Sequence, residues 1–203
     1  MSSSSPTAPS PNLLGLMQVG SEVLEKAAES AALPAPVEIR CDVAEGTVHI
    51  WTHETGAADQ YAAINRVADV LGTCPEVTTQ SAPREVRAQG AWEGVQVNLR
   101  AFQAEPRRGR AANHPTPPAV TERTVRLLRE ARNWIMSMKG TDAIAELSLT
   151  DRSARYGQHL LTILATDADA ARTFRIPMRL RMRWLAGGMG KVRCIVRSVT
   201  DAS

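Results

Sequence analysis

The chain has 203 residues, of which 43% are hydrophobic and 22% charged, with a formal net charge of +3. This composition predicts a folded protein with one large or two small domains. The longest apolar runs fall short of the ~20 residues that a membrane helix needs, and the N-terminus lacks the pattern of a cleaved secretion signal. Three widely spaced cysteines, Cys41, Cys74 and Cys194, predict reduced thiols in a cytoplasmic protein.

The N-terminal residues 1–12 are rich in Ser and Pro and are predicted to be a disordered tail. An apolar stripe at helical spacing then predicts a helix over Leu13–Ala32. Pro34 and Pro36 end this helix, because proline lacks the backbone donor and restricts the residue before it.

The next stretch predicts a β-hairpin. Apolar and polar residues alternate over Val37–Val43, which is the pattern of a half-buried strand. Glu45-Gly46 is predicted to form a two-residue turn into a return strand, Thr47–His53. On the polar face, this turn pairs Asp42 with His49, Arg40 with Trp51 and Glu38 with His53. The facing carboxylates are therefore expected to raise the pKa values of His49 and His53.

A helix and a second hairpin follow. Thr55 is the predicted N-cap of the helix and Gly72 its C′ residue. Glu93-Gly94 then joins the predicted strands Arg84–Trp92 and Val95–Gln103. This turn pairs Trp92 with Val95, Ala88 with Leu99 and Arg87 with Arg100.

Residues 104–120 are predicted to be a linker and a domain boundary, because they contain four prolines and a basic run. That run consists of Arg107, Arg108 and Arg110. The sequence thus divides into an acidic module, 13–103, and a basic module, 121–203. The arginines of the linker are either solvated or able to bind phosphates.

The second module is predicted to begin with a helix over Glu122–Lys139, capped by Thr121 and closed by Gly140. The predicted strands are Ile144–Thr150, His159–Thr166, Phe174–Trp184 and Val192–Val199, with a helical or turn connection at Asp167–Arg172. Each module therefore combines helices with antiparallel hairpins in the order α-β-β-α-β-β. The fold class is α+β, and duplication of one unit is a hypothesis.

Charge is distributed unevenly along the chain. Residues 1–103 contain 6 Lys/Arg and 12 Asp/Glu, a net charge of −6, and residues 104–121 contain 3 and 1, a net charge of +2. Residues 122–203 contain 15 and 8, a net charge of +7. The modest overall charge therefore combines an acidic half with a basic half.

The most pointed feature is a row of arginines in the last two predicted strands. These residues alternate with apolar side chains and are predicted to form one basic face: Arg175, Arg179, Arg181, Arg183, Arg193 and Arg197. A seven-residue loop, Leu185–Lys191, would bring Arg183 opposite Arg193 and Arg179 opposite Arg197. Like charges in facing positions are destabilising unless an anion offsets them, so the face predicts an acidic partner. The alternative is a solvated sheet surface.

No motif in the sequence predicts catalysis. Leu185–Lys191 lacks the first glycine, the following Ser or Thr and the following helix of a phosphate-binding loop. His49 and His53 are ~13 Å apart along a strand, which is too far to share one metal ion. The cysteines lack the paired spacing of a zinc site, so neither a metal nor a cofactor is predicted.

The sequence therefore predicts a cytoplasmic, non-enzymatic binding or assembly protein that acts through the basic C-terminal face. Its expected partner is an acidic protein surface or the acidic N-terminal module of another copy, which would make it a homo-oligomer. The alternative is a nucleic-acid-binding protein that uses the same arginines and the linker. No membrane partner is expected.

Overall fold

A computed structural model describes residues 12–35, 37–52, 57–78, 85–102, 118–152, 158–175 and 191–201. The α-helices are α1 (Leu13–Ala28), α2 (Ala57–Val70), α3 (Pro118–Met136) and α4 (168–175). The strands are β1 (Val37–Asp42), β2 (Thr47–Thr52), β3 (Glu76–Thr78), β4 (Glu85–Trp92), β5 (Val95–Phe102), β6 (Ile144–Arg152), β7 (Gln158–Ala165) and β8 (Lys191–Ser198). Two short 3₁₀ helices cover Thr141–Ala143 and Val199–Asp201.

All eight described strands form one mixed sheet in the order β3-β4-β5-β2-β1-β6-β7-β8. Five neighbouring pairs are antiparallel, whereas β2 with β5 and β7 with β8 are parallel. The predicted α+β class is confirmed. Because β1 pairs with β6, strands from the acidic and basic parts of the sequence share one sheet.

The helices pack on one face of this sheet and enclose a single hydrophobic cluster with it. Gly20 of α1 lies directly over Ile39 and Val48, so the helix backbone approaches the centre of the sheet closely. Helix α1 begins at Asn12, whose side chain accepts a hydrogen bond from the backbone N–H of Gly15 at 3.0 Å. Helix α3 lies beside α1, where Arg129 forms an ion pair with Glu25.

The two halves of the sheet have corresponding connections. In the first, the antiparallel pair β1–β2 is followed by α2, and β5 then lies parallel to β2. In the second, the antiparallel pair β6–β7 is followed by α4, and β8 then lies parallel to β7. This correspondence concerns topology alone, and duplication of one unit stays a hypothesis.

The predicted register of the first hairpin is wrong by two residues. Asp42 pairs with Thr47, Arg40 with His49 and Glu38 with Trp51. The connection is a four-residue turn, 43–46, rather than the predicted two-residue turn. Asp42 explains the difference, because its side chain accepts the Glu45 N–H at 3.0 Å and closes the turn before the predicted strand end.

The predicted register of the second hairpin is confirmed in full, from Trp92 with Val95 to Val86 with Ala101. Glu93 and Gly94 have φ values of 50° and 80°, the conformation that a two-residue turn between twisted strands requires. Gly72 has the positive φ predicted for a helix C′ residue. The short strand β3 was not predicted.

Other boundaries differ from the predictions. Helix α1 ends at Ala28 rather than Ala32, and α3 begins at Pro118, so Thr121 is inside the helix and is not its cap. Residues 168–175 are helical, so the prediction that a strand begins at Phe174 is wrong. The rest of that predicted strand, residues 53–56 and most of the predicted linker lie outside the described residues. Within the described ranges, none of the helices combines the length and apolar character that a membrane crossing demands.

Candidate functional site: the open face of the sheet

The sheet face opposite the helices, which we call the open face, is the candidate functional surface. Side chains alternate between the two faces along each strand. In β1, Val37, Ile39 and Cys41 are fully buried under the helices, whereas Glu38 and Arg40 are on the other side and partly exposed. The same alternation holds in β2 and β5, so the open face is predominantly polar in this half.

Strand register arranges the open face in three rows that run across the sheet from β4 to β8. The first row is Ala91, Gln96, Thr47, Asp42, Glu146, Leu164 and Arg197; the second is Gln89, Asn98, His49, Arg40, Ser148, Thr162 and Ile195; the third is Arg87, Arg100, Trp51, Glu38, Thr150, Leu160 and Arg193. Seven strands spaced ~4.8 Å apart make this surface ~29 Å wide.

Arginine side chains of the open face are more exposed than the carboxylates that they contact. The side chains of Arg87 and Arg40 are 54% and 37% exposed, whereas their partners Glu85 and Asp42 are 7% and 12% exposed. Arg100 is 40% exposed and also lies near Glu85, with 3.6 Å between its Nε and the carboxylate Oε1. The carboxylates of Asp42 and Glu85 are thus less exposed than the guanidinium groups that contact them, so the exposed charge around them is basic.

Arg40 occupies the centre of the open face. Its Nη2 atom is 3.0 Å from Oδ2 of Asp42 and 2.9 Å from Oε2 of Glu146, so one guanidinium neutralises carboxylates on β1 and β6. Burial raises the pKa of the Glu146 carboxyl, and Asp42 and Glu38 add to this effect, while Arg40 opposes it. This cluster links the two halves of the sheet electrostatically.

His49 lies beside this cluster and differs from its prediction. It faces Arg40 rather than Asp42. Burial and the charge of Arg40 lower its pKa, against the opposing effect of Glu45 and Asp42, so the predicted rise is wrong. The ring stacks on Trp51 with centroids 5.5 Å apart and planes at 9°. His53 lies outside the described residues.

The neighbours of His49 do not form a catalytic triad. Its Nε2 atom is 2.9 Å from the Thr47 hydroxyl oxygen and 3.4 Å from the Glu45 carboxylate. A triad needs the hydroxyl and the carboxylate on opposite ring nitrogens, so that one orients the ring while the other gives up its proton. Here both groups contact the same nitrogen. Among the described residues, no group of three potential ligands is arranged to hold a metal ion.

The β7–β8 end of the open face has a different character. Leu160, Leu164 and Ile195 are half-buried there and do not pack against the hydrophobic core. Arg193 pairs with Leu160 and Arg197 with Leu164, and both arginines are exposed. Within the described part of the chain, neither arginine has a carboxylate partner. This end therefore combines apolar surface with unpaired positive charge.

The structure brings together only part of the predicted basic face. Arg193 and Arg197 are on the open face as predicted. Arg175 is instead at the end of α4, where its Nε is buried without a hydrogen-bond partner among the described residues. Arg179, Arg181, Arg183 and the linker arginines Arg107, Arg108 and Arg110 lie outside the described residues. Arg40, Arg87 and Arg100 also lie on the open face, and the polar sides of the predicted hairpins contain all three, although they were not predicted as part of a basic face.

A cleft of about 490 Å³ between α1 and α3 is a weaker candidate. Its lining includes Glu25, Glu29, Glu122, Arg126 and Arg129. Glu25 and Arg129 neutralise each other across it. Among the described residues, no buried polar atom of this lining lacks a partner, so nothing there calls for a ligand.

Comparisons with known proteins do not add to this geometry: no protein-family model matches the chain, and no curated protein shows significant sequence similarity to it.

Proposed function

We propose that this protein is a non-enzymatic binding protein whose open face docks an acidic protein surface. One observation supports the proposal above all: Arg40 and Arg87 are more exposed than the carboxylates of Asp42, Glu146 and Glu85 that they contact on the open face. An acidic partner would meet guanidinium groups first. Complementary charge of this kind speeds association and selects partners more than it raises affinity. Three free cysteines fit a cytoplasmic location for this interaction.

The composition of the open face favours a protein partner over nucleic acid. Glu38, Asp42, Glu85 and Glu146 are interspersed among the arginines. Protein–DNA interfaces are much more positively charged than protein–protein interfaces, and on this face the carboxylates offset part of the arginine charge. Trp51, the aromatic side chain of the central rows, already stacks on His49. One face of its ring is therefore covered and cannot stack on a base.

The test compares binding of polyglutamate and of a 20-base-pair DNA duplex by titration calorimetry, at two salt concentrations. The open-face variant is Arg100→Gln/Arg193→Gln/Arg197→Gln, which leaves Arg87 to neutralise Glu85. Its matched control is Arg123→Gln/Arg126→Gln/Arg172→Gln, which removes the same charge from exposed helical positions. We expect polyglutamate binding to be lost in the first variant and kept in the second. Equal loss in both variants, or binding of the duplex alone, would refute the proposal.

Light scattering on the same proteins tests whether the acidic surface belongs to another copy. If residues 1–103 of a second chain supply it, the wild-type protein will be oligomeric at low salt. The open-face variant will then have a lower mass than the control variant. A monomer at every salt concentration assigns the acidic surface to a different protein.

A further inference from the structure

We propose that the β7–β8 end of the open face is a binding site for an acidic amphipathic helix of a partner protein. This inference rests on the proposed function and specifies which part of the face recognises which chemistry. The site consists of the apolar side chains Leu160, Leu164 and Ile195 and the flanking Arg193 and Arg197, and we call it the Arg–Leu site.

The apolar part of the Arg–Leu site has no role in the core. Leu161 and Ile163, which alternate with these residues on β7, are 1% and 0% exposed beneath the helices, whereas Leu160 and Leu164 are only half-buried. Ile195 of β8 lies between them, opposite Thr162. Apolar side chains that stay partly hydrated in the free protein gain free energy when a partner covers them. The partner must therefore present apolar side chains here.

The charged part of the Arg–Leu site requires carboxylates. Arg193 and Arg197 are four positions apart on one strand, a separation of ~13 Å. Both are exposed, and each has an apolar residue as its β7 partner instead of an acidic one. This arrangement contrasts with Arg40 and Arg87, which already bind Asp42 and Glu85. Two acidic groups flanking an apolar strip would pair with the arginines, which have no carboxylate partner among the described residues.

The partner segment should be helical because it lies on a sheet face rather than along an edge. Side chains, not backbone groups, point out of the face, so a bound segment gains no ladder hydrogen bonds there. Its own N–H and C=O groups must be satisfied internally, as they are in a helix. With a pitch of 5.4 Å, two helical turns span ~11 Å on one side of the helix, close to the ~13 Å between the arginines. The expected ligand is thus an amphipathic helix with acidic residues about two turns apart beside a leucine stripe.

The probe is a synthetic, dye-labelled 18-residue peptide of Leu, Ala and Glu with this pattern, and binding is measured by fluorescence anisotropy. Arg193→Glu/Arg197→Glu should weaken binding by at least about tenfold, since charge-assisted contacts are lost and replaced by repulsion. Arg123→Glu/Arg126→Glu makes the same change in net charge on α3 and should stay within about twofold of wild type. Arg193→Gln/Arg197→Gln serves as a second variant, should the reversal impair folding.

The apolar half of the site is tested separately. Leu160→Thr/Ile195→Thr places a β-branched residue, which favours strands, at both positions and should weaken peptide binding, whereas Val77→Thr, at a 54% exposed position on β3, should not. A peptide with Gln in place of Glu should bind more weakly to the wild-type protein and respond little to the arginine changes. Circular dichroism melting confirms that each variant is folded.

Three results would overturn the inference. If polyglutamate binds but the peptide does not, the Arg–Leu site is wrong while the proposed function stands. If neither binds, both fail. If the Arg193→Glu/Arg197→Glu variant binds the peptide as wild type does, or loses binding only to duplex DNA, the site does not recognise an acidic helix.

Discussion

The guanidinium of Arg40 on β1 contacts the carboxylate of Glu146 on β6, with 2.9 Å between Nη2 and Oε2. This ion pair crosses the line where the first half of the chain meets the second. It lies on the face of the sheet opposite the described helices, in the middle of the open face. Charge and stability are therefore coupled at this position.

Replacing Glu146 with an uncharged residue is expected to leave the stability of the protein unchanged or higher. Burial raises the pKa of its carboxyl above the ordinary value, which means that ionisation is less favourable in the folded protein than in the unfolded chain. The stability that the protonated Glu146 carboxyl contributes is present below the pKa of glutamate in the unfolded chain. It is lost as the pH rises through the pKa of Glu146 in the folded protein. Glu146→Gln should therefore remove this decline and unfold at neutral pH with a free energy at or above that of wild type.

Urea denaturation between pH 4 and pH 8 measures this effect. Asp42→Asn is the control, because the Asp42 side chain also accepts a hydrogen bond from the Glu45 N–H. Weakening this hydrogen bond should lower the free energy of unfolding by ~1 kcal/mol. A Glu146→Gln protein that is clearly less stable than wild type at pH 7 would contradict the prediction.

His49 is expected to titrate below its ordinary pKa of about 6.5, because burial and Arg40 disfavour its charged form. The stability that neutral His49 contributes is fully present above the pKa of histidine in the unfolded chain. It is lost as the pH falls through the pKa of His49 in the folded protein. Arg40→Gln should raise the pKa of His49 by removing a neighbouring positive charge. NMR titration of the imidazole resonances measures both values. A His49 pKa above 6.5 in wild type, or no response to Arg40→Gln, would contradict the electrostatic assignment.

Gly20 is expected to resist replacement by alanine, although alanine favours helices by ~1 kcal/mol. A methyl group on Gly20 would overlap Cδ1 of Ile39, and overpacking of this kind costs ~1–3 kcal/mol. Ile39→Val removes Cδ1 and leaves the space that the new methyl group needs. The double variant should therefore be more stable than Gly20→Ala alone, which a double-mutant cycle by chemical denaturation will measure. Strict additivity would show that the two side chains do not meet.

The cysteines are expected to differ sharply in reactivity. Cys74 is exposed, whereas Cys41 is buried and its burial raises the pKa of the thiol far above the ordinary value. Because the thiolate is the reactive form, Cys41 should be inert in the native protein. Ellman's reagent should modify one thiol rapidly, and Cys74→Ser should abolish that phase. Rapid labelling of the Cys74→Ser protein under native conditions would indicate local opening of β1 around Cys41 or of β8 around Cys194.

The sequence was sufficient to predict some features of the fold because they depend on neighbouring residues. Glu93-Gly94 supplies the backbone conformation of a two-residue turn, and it determined every pairing of β4 with β5. The first hairpin failed because the Asp42 side chain closes a longer turn. A slip of two residues keeps each side chain on its face, so alternation placed Arg40 on the polar side while giving it the wrong neighbour.

Features that depend on distant residues could not be predicted. Nothing near Arg40 in sequence indicates that β6 will supply Glu146 as its second partner. Likewise, Phe174 continued an alternating pattern into β-rich sequence, yet it is 2% exposed at the end of α4, where tertiary packing outweighs the local pattern. The sequence predicted a basic surface at Arg193 and Arg197. It could not predict the apolar strip of Leu160, Ile195 and Leu164 between them, because that strip forms only where β7 pairs with β8.

The pairing of β1 with β6 also has a consequence for synthesis on the ribosome. Roughly 100 residues separate Asp42 from Ile144, so the edge of β1 stays without its final partner while they are made. At ~5–20 residues per second, this interval lasts ~5–20 s. During that time the β1 edge that will pair with β6 has no partner strand. Such edges template wrong pairing, so newly made chains are most vulnerable to aggregation just before β6 emerges.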